Sequence, residues 1–217
     1  MLERDLPVVA QNLPAAAMRR FWAMVAHYHG QTWNSSEIGR SLNLTDKIAR
    51  QYLDAFTTMH LVRQLPPWFE NLGKRQVKAP KVYLRDSGVL HGLLHLEDRR
   101  RLQEHPKVGA SWEGFAMEQV LSVTGDRDAY FWATHNGAEL DLLVMWKGKR
   151  AGFEFKYGAA PGLTKSMRMA VRDLKLDQLF VVYPGGQSFP LGPKAELVAI
   201  RDLTVRLARF NQNDQSK

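Results

Sequence analysis

The chain has 217 residues, of which 45% are hydrophobic and 24% charged, proportions of an ordinary water-soluble globular protein. It contains no cysteine, which excludes disulfides and thiolate metal sites and favours a cytoplasmic setting. No signal peptide is recognisable, and no run approaches the roughly 20 apolar residues needed to cross a bilayer, so we expect no membrane association. The net charge is +8, most of it in residues 1–107, and such an excess suits a phosphate-rich partner.

Three helices are predicted in the first part of the chain. Apolar residues at helical spacing predict a helix over residues 15–29. Capping residues at 34–35 begin a second helix, and Thr45 begins a third. The short turn between the second and third helices, with Lys47 and Arg50 on the third, is typical of a helix-turn-helix.

Two strand-like runs follow around a loop rich in Pro, Gly and cations. With the helices they predict a winged helix-turn-helix DNA-binding domain over residues 1–86. The alternative is a three-helix bundle that only packs against another domain. The predicted loop cations, which with the two on the third helix are our candidate nucleic-acid-binding residues, are Lys74, Arg75, Lys78 and Lys81.

The second half of the chain predicts a different kind of domain. Residues 87–108 have the pattern of a helical connector, and residues 109–210 follow the order helix, three strands, helix, strand. This α-β-β-β-α-β order is that of the restriction-endonuclease-like core. The fold class we expect is therefore α/β (α+β overall), with a winged helix followed by a nuclease-like domain.

Three polar residues lie within the predicted hairpin of residues 139–158. Asp141 interrupts an apolar strand, and Glu154 and Lys156 alternate with aromatic residues, so those two share one strand face. A two-residue turn at Gly148–Lys149 would place Asp141 directly opposite Lys156. We therefore expect the three side chains to converge.

Two carboxylates and a lysine at one point favour Mg²⁺-dependent phosphodiester hydrolysis. Asp141 and Glu154 would supply the oxygen ligands that Mg²⁺, or Mn²⁺ in its place, prefers. Lys156 would orient the attacking water or stabilise charge on the phosphate, and Glu113 is a candidate auxiliary acid. The alternative is a buried ion cluster without catalytic function. No phosphate-binding loop motif occurs, so no ATPase activity is expected from this chain alone.

Several motifs resemble one known family over nearly the whole length. They are LERDLP (2–7), PPWFEN (66–71), KAPKVYLRDSGV (78–89), GASWEGF (109–115), GAELDLLV (137–144) and GFEFKYG (152–158). Together they are similar to the domain of unknown function found C-terminal to bacterial and archaeal AAA-type ATPases.

The resemblance implies a winged helix followed by a PD-(D/E)xK nuclease-like domain. It implies Glu113, Asp141, Glu154 and Lys156 as the site positions. Members of that family usually carry an ATPase module before the LERD motif, so the chain is expected to be a stand-alone copy, part of a split gene or an excised fragment. A non-catalytic DNA-binding or docking module, working with an AAA-type ATPase in trans, is therefore the alternative function.

Overall fold

The structure, a computed structural model, describes residues 15–69, 79–135, 137–158 and 162–212. These residues form two compact units. The N-terminal unit contains residues 15–65 and 79–114, and the C-terminal unit contains the other described residues. Both units combine helices with a β-sheet, so the chain is a mixed α/β protein. No helix within the described ranges is long and apolar enough to cross a membrane.

The N-terminal unit has helices on an antiparallel three-stranded sheet of order β1-β3-β2. A sixth helix, α6 (Val108–Thr124), begins in this unit. The three predicted helices are present, and the predicted connector forms two short ones. The elements are α1 (Ala15–His27), β1 (Gln31–Thr32), α2 (Ser35–Leu42), α3 (Asp46–Thr58), β2 (Val62–Leu65), β3 (Lys81–Leu84), α4 (Ser87–Leu93) and α5 (Arg99–Glu104).

Local side-chain caps set the limits of α2 and α3. The Asn34 side chain accepts a hydrogen bond from the backbone N–H of Glu37, and Thr45 accepts one from Ile48. Each cap satisfies a backbone donor that the first helical turn leaves unpaired. Asn43 ends α2 in the left-handed conformation with φ of 56°, which asparagine tolerates better than most residues. The predicted starts of both helices are therefore confirmed.

The core of this unit is built on aromatic side chains. Phe21 stacks on Phe56 with ring centroids 5.5 Å apart and meets Tyr52 edge-on at 5.3 Å. Trp22 lies 4.5 Å from Phe56, and the four residues are at most 7% exposed. Such rings bury more apolar area per residue than aliphatic side chains do, and their edge-to-face pairs add to the stabilisation.

A buried histidine lies in the same unit. The Nδ1 atom of His29 accepts a hydrogen bond from the Leu84 N–H at 3.0 Å, and Nε2 donates to the Ala110 carbonyl at 3.0 Å. These two bonds need the neutral ring, and burial lowers the pKa of His29 to about 4. A Cβ on Gly114 would lie 2.6 Å from Nε2, so this part of α6 approaches the ring only because residue 114 is glycine.

The C-terminal unit has a six-stranded mixed sheet of order β4-β5-β6-β7-β9-β8. Strands β4, β5 and β6 are antiparallel, β6, β7 and β9 are parallel, and β8 pairs antiparallel with β9. The sequence did not predict β8, the 3-10 turn or α8 among the elements of this unit that follow α6. The elements that follow α6 are β4 (Ala129–Ala133), β5 (Glu139–Trp146), β6 (Lys149–Phe155), α7 (Lys165–Asp173), β7 (Gln178–Tyr183), β8 (Phe189–Gly192), β9 (Ala195–Ala199), a 3-10 turn (Ile200–Asp202) and α8 (Leu203–Gln212).

Helices lie on both faces of this sheet. On one face, Phe153 stacks on Phe180 at 5.3 Å, and Phe180 meets Phe210 of α8 at 5.5 Å. On the other face, the buried side of α7 joins a core that includes Val181 of β7. Because Glu154 pairs with Val181 across the parallel strands, Glu154 points toward the α7 face.

The hairpin register differs from the prediction. Trp146 pairs with Lys149, so the two-residue turn is Lys147–Gly148 and not Gly148–Lys149. Both turn residues have positive φ, 50° and 78°, the conformation of a type I′ turn, whose twist matches that of the flanking strands. Glycine therefore occupies the second central position.

This change moves the partner of Asp141 by two residues. Leu142 pairs with Phe153, so the next positions, Asp141 and Glu154, face each other. The sequence had predicted that Asp141 lies opposite Lys156. In the structure Asp141 is diagonal to Lys156. Since strand side chains alternate with period two, a shift of two residues leaves all three side chains on one face.

Candidate functional site

Two buried carboxylates from neighbouring strands form the centre of the site. Asp141 of β5 and Glu154 of β6 are each 7% exposed. The Oδ2 atom of Asp141 accepts a hydrogen bond of 2.8 Å from the backbone N–H of Phe155, which fixes its side chain against β6. Two negative charges on adjacent strand positions repel each other unless a cation or a proton neutralises one of them.

The two oxygens of Glu154 have different surroundings. Its Oε1 lies 2.7 Å from the Lys156 ammonium nitrogen. Its Oε2 is buried and has no hydrogen-bond partner in the part of the chain that the structure describes. Burial and then the negative charge of Asp141 raise the pKa of Glu154 to about 7, while Lys156 acts in the opposite direction. The carboxyl group therefore changes its protonation state close to neutral pH.

Lys156 connects the buried carboxylates with solvent. It follows the last residue of β6, and its backbone N–H donates to the Val182 carbonyl at 3.0 Å. Its side chain is 39% exposed although its ammonium group contacts Glu154. The site thus opens at the carboxyl ends of parallel strands, where ligands bind in many α/β proteins.

Sequence reasoning missed a third acid at the edge of this site. Glu139 lies two residues before Asp141 on the same strand face, and its charge also raises the pKa of Glu154. Ser166 of α7 accepts a hydrogen bond from the Glu139 N–H and donates one to its carbonyl, both at 2.8 Å. The signal in the sequence was the period-two spacing of the two acids on one strand.

The site is suited to a hard cation held by few protein ligands. Throughout the described ranges, no group of three or more His, Asp and Glu side chains is placed to hold a metal ion. Mg²⁺ is commonly held by only one or two carboxylates and keeps several waters. Asp141 and Glu154 supply that number, and the unpartnered Oε2 of Glu154 supplies an oxygen suited to the ion.

Glu113 has its partners within the N-terminal unit. The Tyr83 hydroxyl donates to its Oε1 at 2.5 Å, and the Lys81 ammonium lies 3.7 Å from the same oxygen. Lys81 was predicted on a loop, but it begins β3 and its side chain is 9% exposed. The charge of Lys81 is directed toward the partly buried Glu113, a partner that strand periodicity does not reveal.

The remaining predicted nucleic-acid contacts differ in their surroundings. Lys47 is exposed on α3. Arg50 is also exposed, and its Nε lies 3.3 Å from Asp54 one helical turn away. Exposed ion pairs of this kind are weak, so Arg50 can exchange its partner. Three predicted residues lie outside the described residues: Lys74, Arg75 and Lys78.

Comparison with known proteins gives matches to two family models and two relatives that are longer than this chain. Residues 1–100 match the model described as Domain of unknown function (DUF8612), and residues 108–203 match Domain of unknown function (DUF4143). Uncharacterized protein Mb2031c of Mycobacterium bovis and Uncharacterized protein Rv2008c of Mycobacterium tuberculosis are each 50% identical over 190 residues. The alignments cover 88% of this chain and 43% of each relative, so the chain spans less than half of their length.

One solved structure was also matched. It is that of protein VC1899 from Vibrio cholerae, with 12% identity, 93% of this chain and 52% of that chain covered, and a TM-score of 0.32. A superposition this loose carries no argument about the fold. Residues 1–100 and residues 108–203 are therefore similar to two different domains of unknown function.

Proposed function

We propose that the C-terminal unit is a Mg²⁺-dependent nuclease that hydrolyses phosphodiester bonds of DNA. The observation that carries the proposal is the buried Oε2 of Glu154, which has no hydrogen-bond partner among the described residues, in a carboxyl group whose pKa the charge of Asp141 also raises. An ionised carboxylate that is buried without compensation is strongly unfavourable. A bound divalent cation removes that penalty and the repulsion between the two acids, whereas a purely structural ion cluster would satisfy both oxygens.

The residues have separate roles in this proposal. Asp141 and Glu154 would hold the metal, which when bound polarises the scissile phosphate and lowers the pKa of water. The Lys156 ammonium stabilises negative charge that develops on the phosphate oxygens, and its exposure gives substrate access to it. We leave Glu113 out of the ligand set because Tyr83 and Lys81 already bind its Oε1.

The order of elements supports the same proposal. In the described chain, α6, β4, β5, β6, α7 and β7 follow one another as in a PD-(D/E)xK nuclease core, with the acids on β5 and β6. In the N-terminal unit, α1 to α3 and the antiparallel β2–β3 pair have the order of a winged helix. Its α3 carries the exposed Lys47, which suits a DNA backbone.

The test is cleavage of duplex, branched and single-stranded DNA with Mg²⁺ or Mn²⁺. Asp141→Asn and Glu154→Gln should each lower the cleavage rate by a factor of about 100 or more, at least the effect seen when a single hydrogen-bond donor to the transition state is lost. Lys156→Met should lower it without abolishing Mn²⁺ binding, which calorimetry measures independently of activity. Asp128→Asn, at an exposed loop position, is the matched control. Absence of cleavage by the wild type, or unchanged cleavage by Glu154→Gln, would refute the catalytic role.

The second candidate is a non-catalytic DNA-binding or docking module that works with an AAA-type ATPase in trans. It is favoured by the exposed cations Lys47 and Arg50 on α3 and by the motifs shared with the ATPase-linked family. This function predicts salt-dependent DNA binding that survives Asp141→Asn and is lost in Lys47→Ala/Arg50→Ala. Binding that depends on Asp141 would contradict it.

A further inference from the structure

We propose that the exposed face of α7, together with Lys194, binds the phosphate backbone of nucleic acid and guides it to the carboxylate site. The inference rests on the proposed nuclease function and names the surface by which its substrate is held. We call this surface the basic stripe. It consists of Lys165, Arg168, Arg172 and Lys194.

The cations of α7 lie on one side of the helix. Lys165, Arg168 and Arg172 are spaced by three and four residues, and all three are exposed. Met167 and Ala170, on the opposite side, are fully buried in the core against the sheet. Seven residues of helix rise about 10 Å. The helix therefore presents a row of positive charge about 10 Å long.

Most of this charge is available to a ligand. Within the described part of the chain, Lys165 and Arg168 make no ion pair. Arg172 is held 2.8 Å from Asp173, which neutralises part of its charge. Lys194 donates from its Nζ to the Leu176 carbonyl at 2.9 Å, a neutral partner that leaves its charge uncompensated.

The stripe begins at the edge of the carboxylate site. Ser166, next to Lys165, makes two hydrogen bonds with the backbone of Glu139. Glu139 is two residues from Asp141 on the same strand face, a separation of about 7 Å. A backbone that follows the stripe is thus led toward the two acids.

A groove along α7 adds a second feature. It has a volume of about 270 Å³, and Arg168 and Lys194 both line it. Its remaining lining is apolar or backbone in character. A strip of apolar surface between two cations suits a nucleotide, because the phosphates bind the cations while sugar and base cover the apolar atoms. The other lining residues are Leu163, Val171, Gly192, Pro193 and Ala195.

Charge and shape select nucleic acid as the occupant. A duplex carries one phosphate per about 3.4 Å along each strand, so the 10 Å row matches about three successive phosphates. A membrane-binding helix would also carry exposed large apolar residues for insertion into the lipid. Every residue of α7 is described, and none of its large hydrophobic side chains is exposed.

The experiment measures DNA affinity by fluorescence anisotropy against salt concentration, in EDTA so that no strand is cut. The slope of log K against log salt is negative, and Lys165→Glu/Arg168→Glu should reduce its magnitude by about 1.8, since each phosphate contact contributes about 0.9. If the two proteins bind equally at 1 M salt, this slope change corresponds to an affinity loss of roughly 60-fold at 0.1 M salt. Arg127→Glu/Arg209→Glu changes the net charge equally at exposed positions outside the stripe and should leave the slope unchanged.

A second measurement needs no variant. DNA should protect Lys165 and Lys194 from acetylation in the wild-type protein, whereas Lys147, in the turn at the far end of the β5–β6 hairpin, should stay reactive. Equal slopes for both double variants, no protection of the stripe lysines, or binding of anionic vesicles but not of DNA would overturn the proposal. If the stripe binds DNA while the wild type cuts nothing with Mg²⁺ or Mn²⁺, the nuclease proposal fails and the stripe stands.

Discussion

Replacing Glu154 by glutamine should stabilise the C-terminal unit at alkaline pH when no divalent cation is present. The pKa of Glu154 is raised from 4.5 to about 7, chiefly by burial. The folded state therefore holds this proton more tightly than the unfolded state does. The stability that protonated Glu154 contributes is fully present below pH 4.5. It is lost as the pH rises through about 7, because the folded protein must then ionise a buried group.

The gain in the free energy of unfolding follows from the pKa shift of Glu154. At 1.36 kcal/mol per pKa unit, a rise from 4.5 to about 7 corresponds to about 3 kcal/mol. Glu154→Gln removes the ionisation but keeps the shape of the side chain. The variant should match the wild type near pH 4.5 and exceed its free energy of unfolding by up to about 3 kcal/mol at about pH 8.

Divalent cations should narrow this difference in stability. Mg²⁺ at about ten times its Kd should stabilise the wild type by about 1.4 kcal/mol at the same pH, and the glutamine variant by much less. Hydrogen exchange of peptides from β6 and β7 at increasing urea reports the C-terminal unit alone. Asp128→Asn, which removes an exposed carboxylate, is the control. Equal stability differences at pH 4.5 and pH 8, or equal stabilisation of both proteins by Mg²⁺, would refute the reasoning.

Three further predictions concern single residues. Lys156→Met should raise the pKa of the paired carboxyl further and move the pH profile of Mn²⁺ binding upward, since the lysine charge favours the ionised form. Gly152→Ala should destabilise the C-terminal unit by about 1–3 kcal/mol, because its Cβ would overlap the side chain of Leu176, whereas Gly192→Ala meets only ordinary contacts. Lowering the pH from 6.5 to 4 should cost the N-terminal unit about 3 kcal/mol, since His29 is buried in its neutral form.

Each of these has a clear contrary result. A Mn²⁺-binding profile unchanged in the lysine variant would show that its ammonium does not act on the carboxyl. Equal urea midpoints for the two glycine variants would show that the sheet beneath α7 accommodates a methyl group. In His29→Gln, the opening free energy that hydrogen exchange gives for α1 and β3, after correction for the intrinsic exchange rate, should no longer depend on pH between 6.5 and 4. A retained dependence would assign the effect to another group.

Local signals made the helices of the N-terminal unit predictable. The caps at Asn34 and Thr45 act over three residues, so they can be recognised without knowledge of the fold. The hairpin register is also a local feature, but it depended on which two residues take positive φ. The sequence Lys147–Gly148–Lys149 allows two assignments, and only strand twist selects the type I′ turn.

Other features depend on contacts between distant parts of the chain. The partner of Lys81 is Glu113, 32 positions away, and no pattern in either segment indicates the pair. Strand β8 contains Pro190 next to a register shift, which hides the alternation expected of a strand. The face of the acids was predictable because side chains alternate along a strand. The unpartnered oxygen of Glu154 was not, since it reflects what the neighbouring elements fail to supply.

Buried His29 and buried Glu154 contribute to stability in opposite pH ranges, and this bears on the role of a cation. The contribution of neutral His29 to the N-terminal unit is fully present above pH 6.5 and is lost as the pH falls through about 4. The contribution of protonated Glu154 to the C-terminal unit is fully present below pH 4.5 and is lost as the pH rises through about 7. No single pH therefore gives both contributions in full. A divalent cation at Glu154 would offset part of the loss near neutral pH, because it favours the ionised carboxylate that burial alone disfavours.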